Sequence, residues 1–413
     1  MTYTNVKAVE FKLSVPKYLI TKTLSRRFKS VGTSSLSCLS LRELPLPTMI
    51  NEDWVRVRTL RSGICGTDIA IINGNTSFSL QPYGSESFVF GHEIVGEVVE
   101  KSPSVKNIRE GDRVVIDPSH SCSTRGVEKT CPNCRRGQSH ICMNLTNGHL
   151  SPATAIGFSH ETGGGWGEYF IAHKSQIYKL PDGFSLEEAV LVEPFAVALH
   201  AVLRRYPPNG AKVLVLGSGT IGLLTIAVLK MLPIRCKIYA TARYTFQEEM
   251  AKEMGAHVVI NPGKEDLYEA IAKETNAQIF KPSLGKRVVE GGMLRVYDSI
   301  ASSETIDDAL RLTQAGGSVV LVGAAADAKG IDLTPVWFRE VDLLGSVMSS
   351  VENFRGKKRK TFEFAIELMK RNKRIPFHKL ITHRYKLGEW KKAIQTAQSR
   401  GRSNAVKVVF TFD

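Results

Sequence analysis

Four cysteines, Cys122, Cys131, Cys134 and Cys142, fall within twenty-one residues, and the last three read C-x2-C-x7-C. A tight C-x2-C turn aims two sulfurs at one centre, and four thiolates close a tetrahedral Zn²⁺ site. The surrounding stretch, residues 120–150, is polar and irregular. It is therefore expected as a loop lobe held by metal. Cys122 is the natural fourth ligand, with His120 or His140 as the alternative. An all-sulfur shell leaves no open position, so this zinc would be structural. The chain has seven cysteines, an odd number in metal-like spacing. That pattern fits a reducing cytoplasm better than a disulfide scaffold.

Around that lobe the chain changes texture twice. Residues 4–12, 55–60, 88–100 and 112–119 read as short strands broken by Gly, Pro and Asp, an all-β pattern. From about residue 185 strands alternate with helices, the mark of a doubly wound parallel sheet. SLEEAVLVEPFAVALHAVLRR (185–205) reads as one helix, with Ser185 as N-cap and Glu188 three residues on. Two more helices are expected at 358–372 and 388–399, then a closing strand, VKVVFTF, that returns the chain to its first domain. The expected division is 1–185, 186–350 and 351–413. Residues 14–31 are basic and acid-poor, as a transit peptide would be. The strand-like segment before them favours a surface insertion. Further insertions stand at 75–87 and 278–292.

In the second region VLVLGSGTIG runs from a buried strand through a glycine turn into an apolar helix. Gly217 allows the turn, Gly219 lets the backbone approach a pyrophosphate, and Gly222 lets helix and strand pack closely. Thr220 and Ile221 open the helix whose N-terminus faces the phosphates. An NAD-binding fold places an acid about 20 residues on, against the ribose 2′-hydroxyl. Here Ala242 stands at that place and Arg243 follows. A guanidinium can pair with a 2′-phosphate, so NADP is expected in preference to NAD. Tyr244 is a weaker candidate for stacking on the adenine.

The net charge is +15 and 43% of residues are hydrophobic. The Lys and Arg residues are spread along the chain without a helix-turn-helix or aromatic RNA-binding motif. A solvated basic surface is expected, with neither nucleic acid nor membrane as partner. No apolar run reaches the ~18 residues that span a bilayer.

GICGTD (63–68), GHEIVGEV (91–98), the four-cysteine lobe, LVEP (191–194) and GSGTIG (217–222) occur in the order found in the zinc-dependent medium-chain dehydrogenase/reductases. The chain resembles their sorbitol, threonine and glucose dehydrogenase branch over nearly its whole length. The resemblance implies an α/β chain, a GroES-like β domain plus a Rossmann doubly wound parallel-sheet domain. It implies a catalytic zinc held by Cys65, His92 and Glu193, with Glu93 able to bind or leave the metal. Liver-type alcohol dehydrogenases carry Cys where Glu193 stands, so the glutamate favours the polyol and threonine branch. Thr67 aligns with the hydroxyl that bonds the substrate oxygen, and Asp68 with the carboxylate that orients the ligating histidine. Gly323 and Ser346 align with the nicotinamide pocket.

Two departures stand out. Ala70 replaces a histidine that often passes the proton onward, leaving a ribose, a water chain or another residue such as His200. Eight residues, STRGVEKT, separate Cys122 from Cys131 where the family has two. The implied activity is hydride transfer between an alcohol or polyol carbon and a nicotinamide, with two zinc ions per chain, in a homodimer or homotetramer. The rival readings are a catalytically inactive zinc- and dinucleotide-binding relative and a basic nucleic-acid-binding protein.

Overall fold

The computed structural model describes residues 4–25, 27–324 and 328–412. It divides into two compact units. The first comprises Met1–Glu193, Ser349–Val351 and Phe377–Asp413; the second comprises Pro194–Met348 and Glu352–Pro376. The segment Glu352–Pro376 thus groups with the nucleotide-type unit, whereas the sequence reading had sent everything after 350 back to the first.

The first unit is built on a sheet in the order Ile381–Lys386, Lys407–Thr411, Trp54–Gly63, Ile94–Lys101, Arg113–Ile116, Ile177–Lys179, with Tyr169–His173 also paired to Trp54–Gly63. A second sheet sets Asn5–Lys12 between Leu39–Pro45 and Ser87–Val89. Alternating apolar side chains such as Val55, Val57, Val98 and Val114 fill the core against the main sheet. The expected closing strand is present: Lys407–Thr411 runs antiparallel to Trp54–Gly63, with Val409 opposite Gly63. That pairing brings the end of the chain beside the GICGTD segment.

The second unit holds six parallel strands in the order Val258–Ile260, Lys237–Thr241, Lys212–Leu216, Met293–Asp298, Thr313–Leu321, Asp342–Gly345. In chain order this is 3-2-1-4-5-6, which reverses direction between the first and fourth strands. Open sheets of this kind bind ligands at that reversal, outside the carboxyl ends of the strands.

Two local expectations need correction. Residues 358–360, read as the start of a helix, lie instead in the strand Lys357–Lys360, paired with Val351–Phe354. Between them Arg355 (φ 52°) and Gly356 (φ 79°) both take left-handed backbone, the two-residue turn that matches strand twist. The helix Ser303–Leu312 runs directly into the strand Thr313–Leu321. The 185–205 helix is broken into Leu186–Ala189 and Val192–Arg204. There the Leu191 N–H bonds back three residues to Glu188, tightening the turn. Ser185 caps as expected, its hydroxyl accepting the Glu188 N–H.

Candidate metal and cofactor sites

Cys65 is the N-cap of the short helix Gly66–Ile72. The fully buried Asp68 carboxylate joins that helix start to its neighbour: Oδ2 accepts the Cys65 N–H at 2.8 Å, and Oδ1 lies 3.4 Å from His92 Nδ1. One carboxylate therefore sets the backbone that carries the thiol and the face of the imidazole. Thr67 Oγ1 stands 3.7 Å from Cys65 Sγ. Glu93 follows His92 and is 1% exposed. A Cβ on Gly63 would lie 1.8 Å from Glu93 Oε2, so only glycine there leaves room for this carboxylate. One ligand atom each from Cys65, His92 and Glu93 lies within 4.8 Å of the others.

Glu193, expected as the third ligand, is buried at the end of the first unit and does not join that trio, although the charges of His92 and Glu93 act on it. Burial pushes its pKa up to about 8; His92 and Lys407 pull the other way, and Glu93 and Asp117 add to the rise. Burial also opposes a charged His92, but Asp68 and Cys65 outweigh it and hold the imidazole pKa well above its ordinary value. A buried space with a thiol, an imidazole and several carboxylates suits a divalent cation, which offsets the crowded negative charge.

Sequence reasoning missed Lys407. Its ammonium, 2% exposed, bonds both Glu93 oxygens at 2.6 and 2.5 Å and the Ile64 carbonyl at 3.3 Å. Nothing near position 407 marks it; the strand pairing of the chain's end delivers it. Removing one partner of a buried ion pair strands the other. Lys407→Met should destabilise the first unit by roughly 3 kcal/mol, and Lys407→Arg should recover most of it, measured by chemical denaturation.

The lobe gathers the sulfurs of Cys122, Cys131, Cys134 and Cys142 within 4.8 Å of one another. Cys122 and Cys142 lie 3.6 Å apart, and Cys131 and Cys142 4.0 Å. Backbone N–H groups of Cys131, Cys134, Met143 and Asn144 point at these sulfurs. Burial works against the thiolates of Cys131, Cys134 and Cys142. The Met143 and Cys134 N–H groups nonetheless bring Cys131 down to about 6, while burial drives Cys142 up to about 11 and Cys134 higher still. Neither His120 nor His140 joins the group. Arg125, within the eight-residue insertion, is buried. It donates to the carbonyls of Asn147, Leu150 and Ser151, anchoring the base of the lobe.

In the second unit Gly217 (φ 88°) turns the chain after Lys212–Leu216, and Gly219 caps the helix Thr220–Met231. A Cβ on Gly222 would meet the Gly217 carbonyl oxygen at 1.7 Å. Ile221 lies in the helix's first turn behind Thr220. Ala242 is buried and Arg243 exposed immediately after Lys237–Thr241. Tyr244 stacks on Phe246, with ring centroids 5.8 Å apart. Gly323 donates its N–H to Asp298, and Ser346 donates its N–H to Leu321. The Ser346 hydroxyl oxygen is closed off from solvent without a partner, as a ligand-facing group would be. Ala325, at the end of the VGAA segment, lies outside the described residues. His200 is buried, with Nδ1 2.5 Å from Glu352.

Residues 51–182 match the alcohol dehydrogenase GroES-like domain, and residues 220–371 the zinc-binding dehydrogenase domain. L-Idonate 5-dehydrogenase of Vitis vinifera is 30% identical over 91% of this chain and 92% of its own. Sorbitol dehydrogenase of Arabidopsis thaliana is 30% identical over 91% and 93%. A solved structure described as a zinc-binding dehydrogenase of Sinorhizobium meliloti 1021 bound to NADP is 26% identical. It superimposes with a TM-score of 0.74, covering 99% of this chain and 100% of the other.

Proposed function

Because the chain belongs to the zinc-type medium-chain alcohol dehydrogenases, we propose that it passes hydride between a secondary alcohol or polyol, or the matching carbonyl, and a nicotinamide dinucleotide. The observation that carries this reading is the trio Cys65, His92 and Glu93 beside a buried Glu193. Cys65, His92 and Glu193 would hold the catalytic zinc, with Glu93 as an exchangeable ligand. Bound there, zinc would supply Lewis acidity toward the substrate oxygen. The chain's own residues do the rest. Asp68 fixes the imidazole face. The Thr67 hydroxyl bonds the substrate oxygen and takes its proton onward. Ala70 has no imidazole, so that proton leaves through the cofactor ribose or a water chain. His200 serves its own unit, bonded to Glu352. The four-cysteine lobe would hold a second, structural zinc.

The relatives named above act on idonate and sorbitol, so polyols and sugar acids are the first substrates to test. Turnover should be assayed with these, amino alcohols and aldehydes, using NADP and NAD, together with metal content, for which two zinc ions are expected. A fully metallated sample without dinucleotide affinity would refute the reading. An inactive relative would be expected to lack a catalytic-site ligand, and none is missing here. A homodimer or homotetramer in a reducing cytoplasm is the proposed setting; every cysteine among the described residues is free.

NADP preference rests on Arg243 and on the absence of a carboxylate at Ala242. A hydrogen bond to a charged group is worth about 1.5–3 kcal/mol. Arg243→Ala should therefore lower kcat/KM for NADP by about ten- to a hundredfold and leave NAD kinetics nearly unchanged. Equal losses with both cofactors would remove Arg243 from the 2′-phosphate.

A further inference from the structure

The helix Val15–Leu24, in the basic insertion of the first unit, is built inside out. A surface helix normally turns its apolar stripe to the core. Here the inward side is largely polar, with Tyr18 its one aromatic packed toward the core. Thr21 and Ser25 are buried, the Ser25 hydroxyl donates to the Asn73 carbonyl at 2.9 Å, and Lys22 Nζ donates to the Gly74 carbonyl at 3.0 Å. Val15 and Leu19 face outward, 62% and 51% exposed, with Ile20, Leu24 and Phe28 also exposed. The helix is seated firmly: a Cβ on Gly74 would stand 2.8 Å from Lys22 Cβ. Phe78, from the second insertion, extends the apolar surface. It is 64% exposed, its ring lies 4.5 Å from Lys22 Nζ, and its centroid is 6.4 Å from that of Tyr18.

Charge identifies the occupant. Between Glu10 and Glu43 the sequence has seven Lys and Arg and no acid. Lys17, on the helix, and Arg27, just beyond its end, are both exposed. Exposed apolar side chains ringed by cations are the chemistry of a helix lying in the headgroup layer of an anionic bilayer. We propose that this face docks the protein on an anionic lipid surface, with Val15, Leu19, Leu24 and Phe78 entering the headgroup boundary and Lys17 and Arg27 meeting lipid anions. A second copy of the chain suits the face less well, because a two-fold contact would set Lys17 and Arg27 against their own kind. The sequence reading expected no membrane partner because the basic residues are spread along the chain as a solvated surface, and no apolar run is long enough to span a bilayer. No described helix is long and apolar enough to cross one, and an interfacial helix needs no such length.

The test is co-sedimentation of the purified full chain with vesicles of phosphatidylcholine alone, or of phosphatidylcholine with phosphatidylserine. Binding is expected only to the phosphatidylserine vesicles, and should weaken as salt rises. Leu19→Asp with Leu24→Asp, and separately Lys17→Glu with Arg27→Glu, should each weaken it by about tenfold or more. Both double variants should keep the wild-type thermal transition and dinucleotide affinity, neither of which depends on the substrate being known. The proposal falls if the wild type ignores phosphatidylserine vesicles at low salt. It also falls if the leucine variant binds them undiminished. If that variant sediments as a smaller species while the wild type does not bind vesicles, the face is an interface between copies instead.

Discussion

Cys65→Ser is expected to lower kcat/KM by about a thousandfold or more while leaving the protein folded. A Lewis-acid metal contributes several kcal/mol to transition-state stabilisation, and each ~1.4 kcal/mol is a factor of ten in rate. Serine nearly matches the volume of cysteine but lacks the thiolate that zinc binds strongly. The local structure should survive loss of the sulfur, whose place in the capping box a serine hydroxyl can take. The bond from the Cys65 N–H to Asp68 is made by backbone, and serine is itself a favourable N-cap. Zinc content should fall from two ions per chain to one, and the thermal transition should move by only a few degrees. A variant that keeps both zinc ions and full turnover would remove Cys65 from the catalytic metal.

The residues that gather at the two candidate metal sites could be picked out in the sequence because motifs place them locally. Cys65 and Asp68 sit three apart in one helix start, and His92 and Glu93 are adjacent. The Rossmann sheet was legible for a similar reason: strands alternating with helices and a glycine turn are short-range signals, whereas the order of the strands comes only from their long-range pairing. Lys407 was not legible. It lies 314 residues from the carboxylate it neutralises, and only the pairing of the last strand with Trp54–Gly63 joins them. Arg125 was hidden in the same way. It lies in an insertion that looked like a disturbance of the lobe, and its role appears only when the carbonyls of Asn147, Leu150 and Ser151 close around it. The orientation of the helix Val15–Leu24 in the surface insertion was not legible either. Apolar residues at partly helical spacing carry no information about which face meets the protein.

That contrast sharpens the expectation for the lobe. Its interior cluster is Cys122, Cys131 and Cys142, with Val127, Cys134 and Leu145 packed against them. The cysteines are therefore most of its core, and the helical pieces Pro132–Arg135 and Ser139–Ile141 are too short to hold themselves together. Without metal, buried thiols whose pKa values are driven apart cannot all ionise, so the lobe lacks the charge that would define it. Structural zinc contributes on the order of 10–16 kcal/mol in small peptides that fold around it. Losing one of four sulfurs should forfeit at least ~5 kcal/mol of that, or about 10–20 °C in the thermal transition of a unit this size. Cys134→Ser should show that loss, with rapid hydrogen exchange and proteolysis confined first to residues 122–142. The Arg125 anchor should keep the base of the lobe protected longer than its tip. Activity should fall only as folded protein is lost, the reverse of the order expected for Cys65→Ser. If the two variants lose stability alike, one metal does not work while the other holds, and the assignment of roles to the two clusters is wrong.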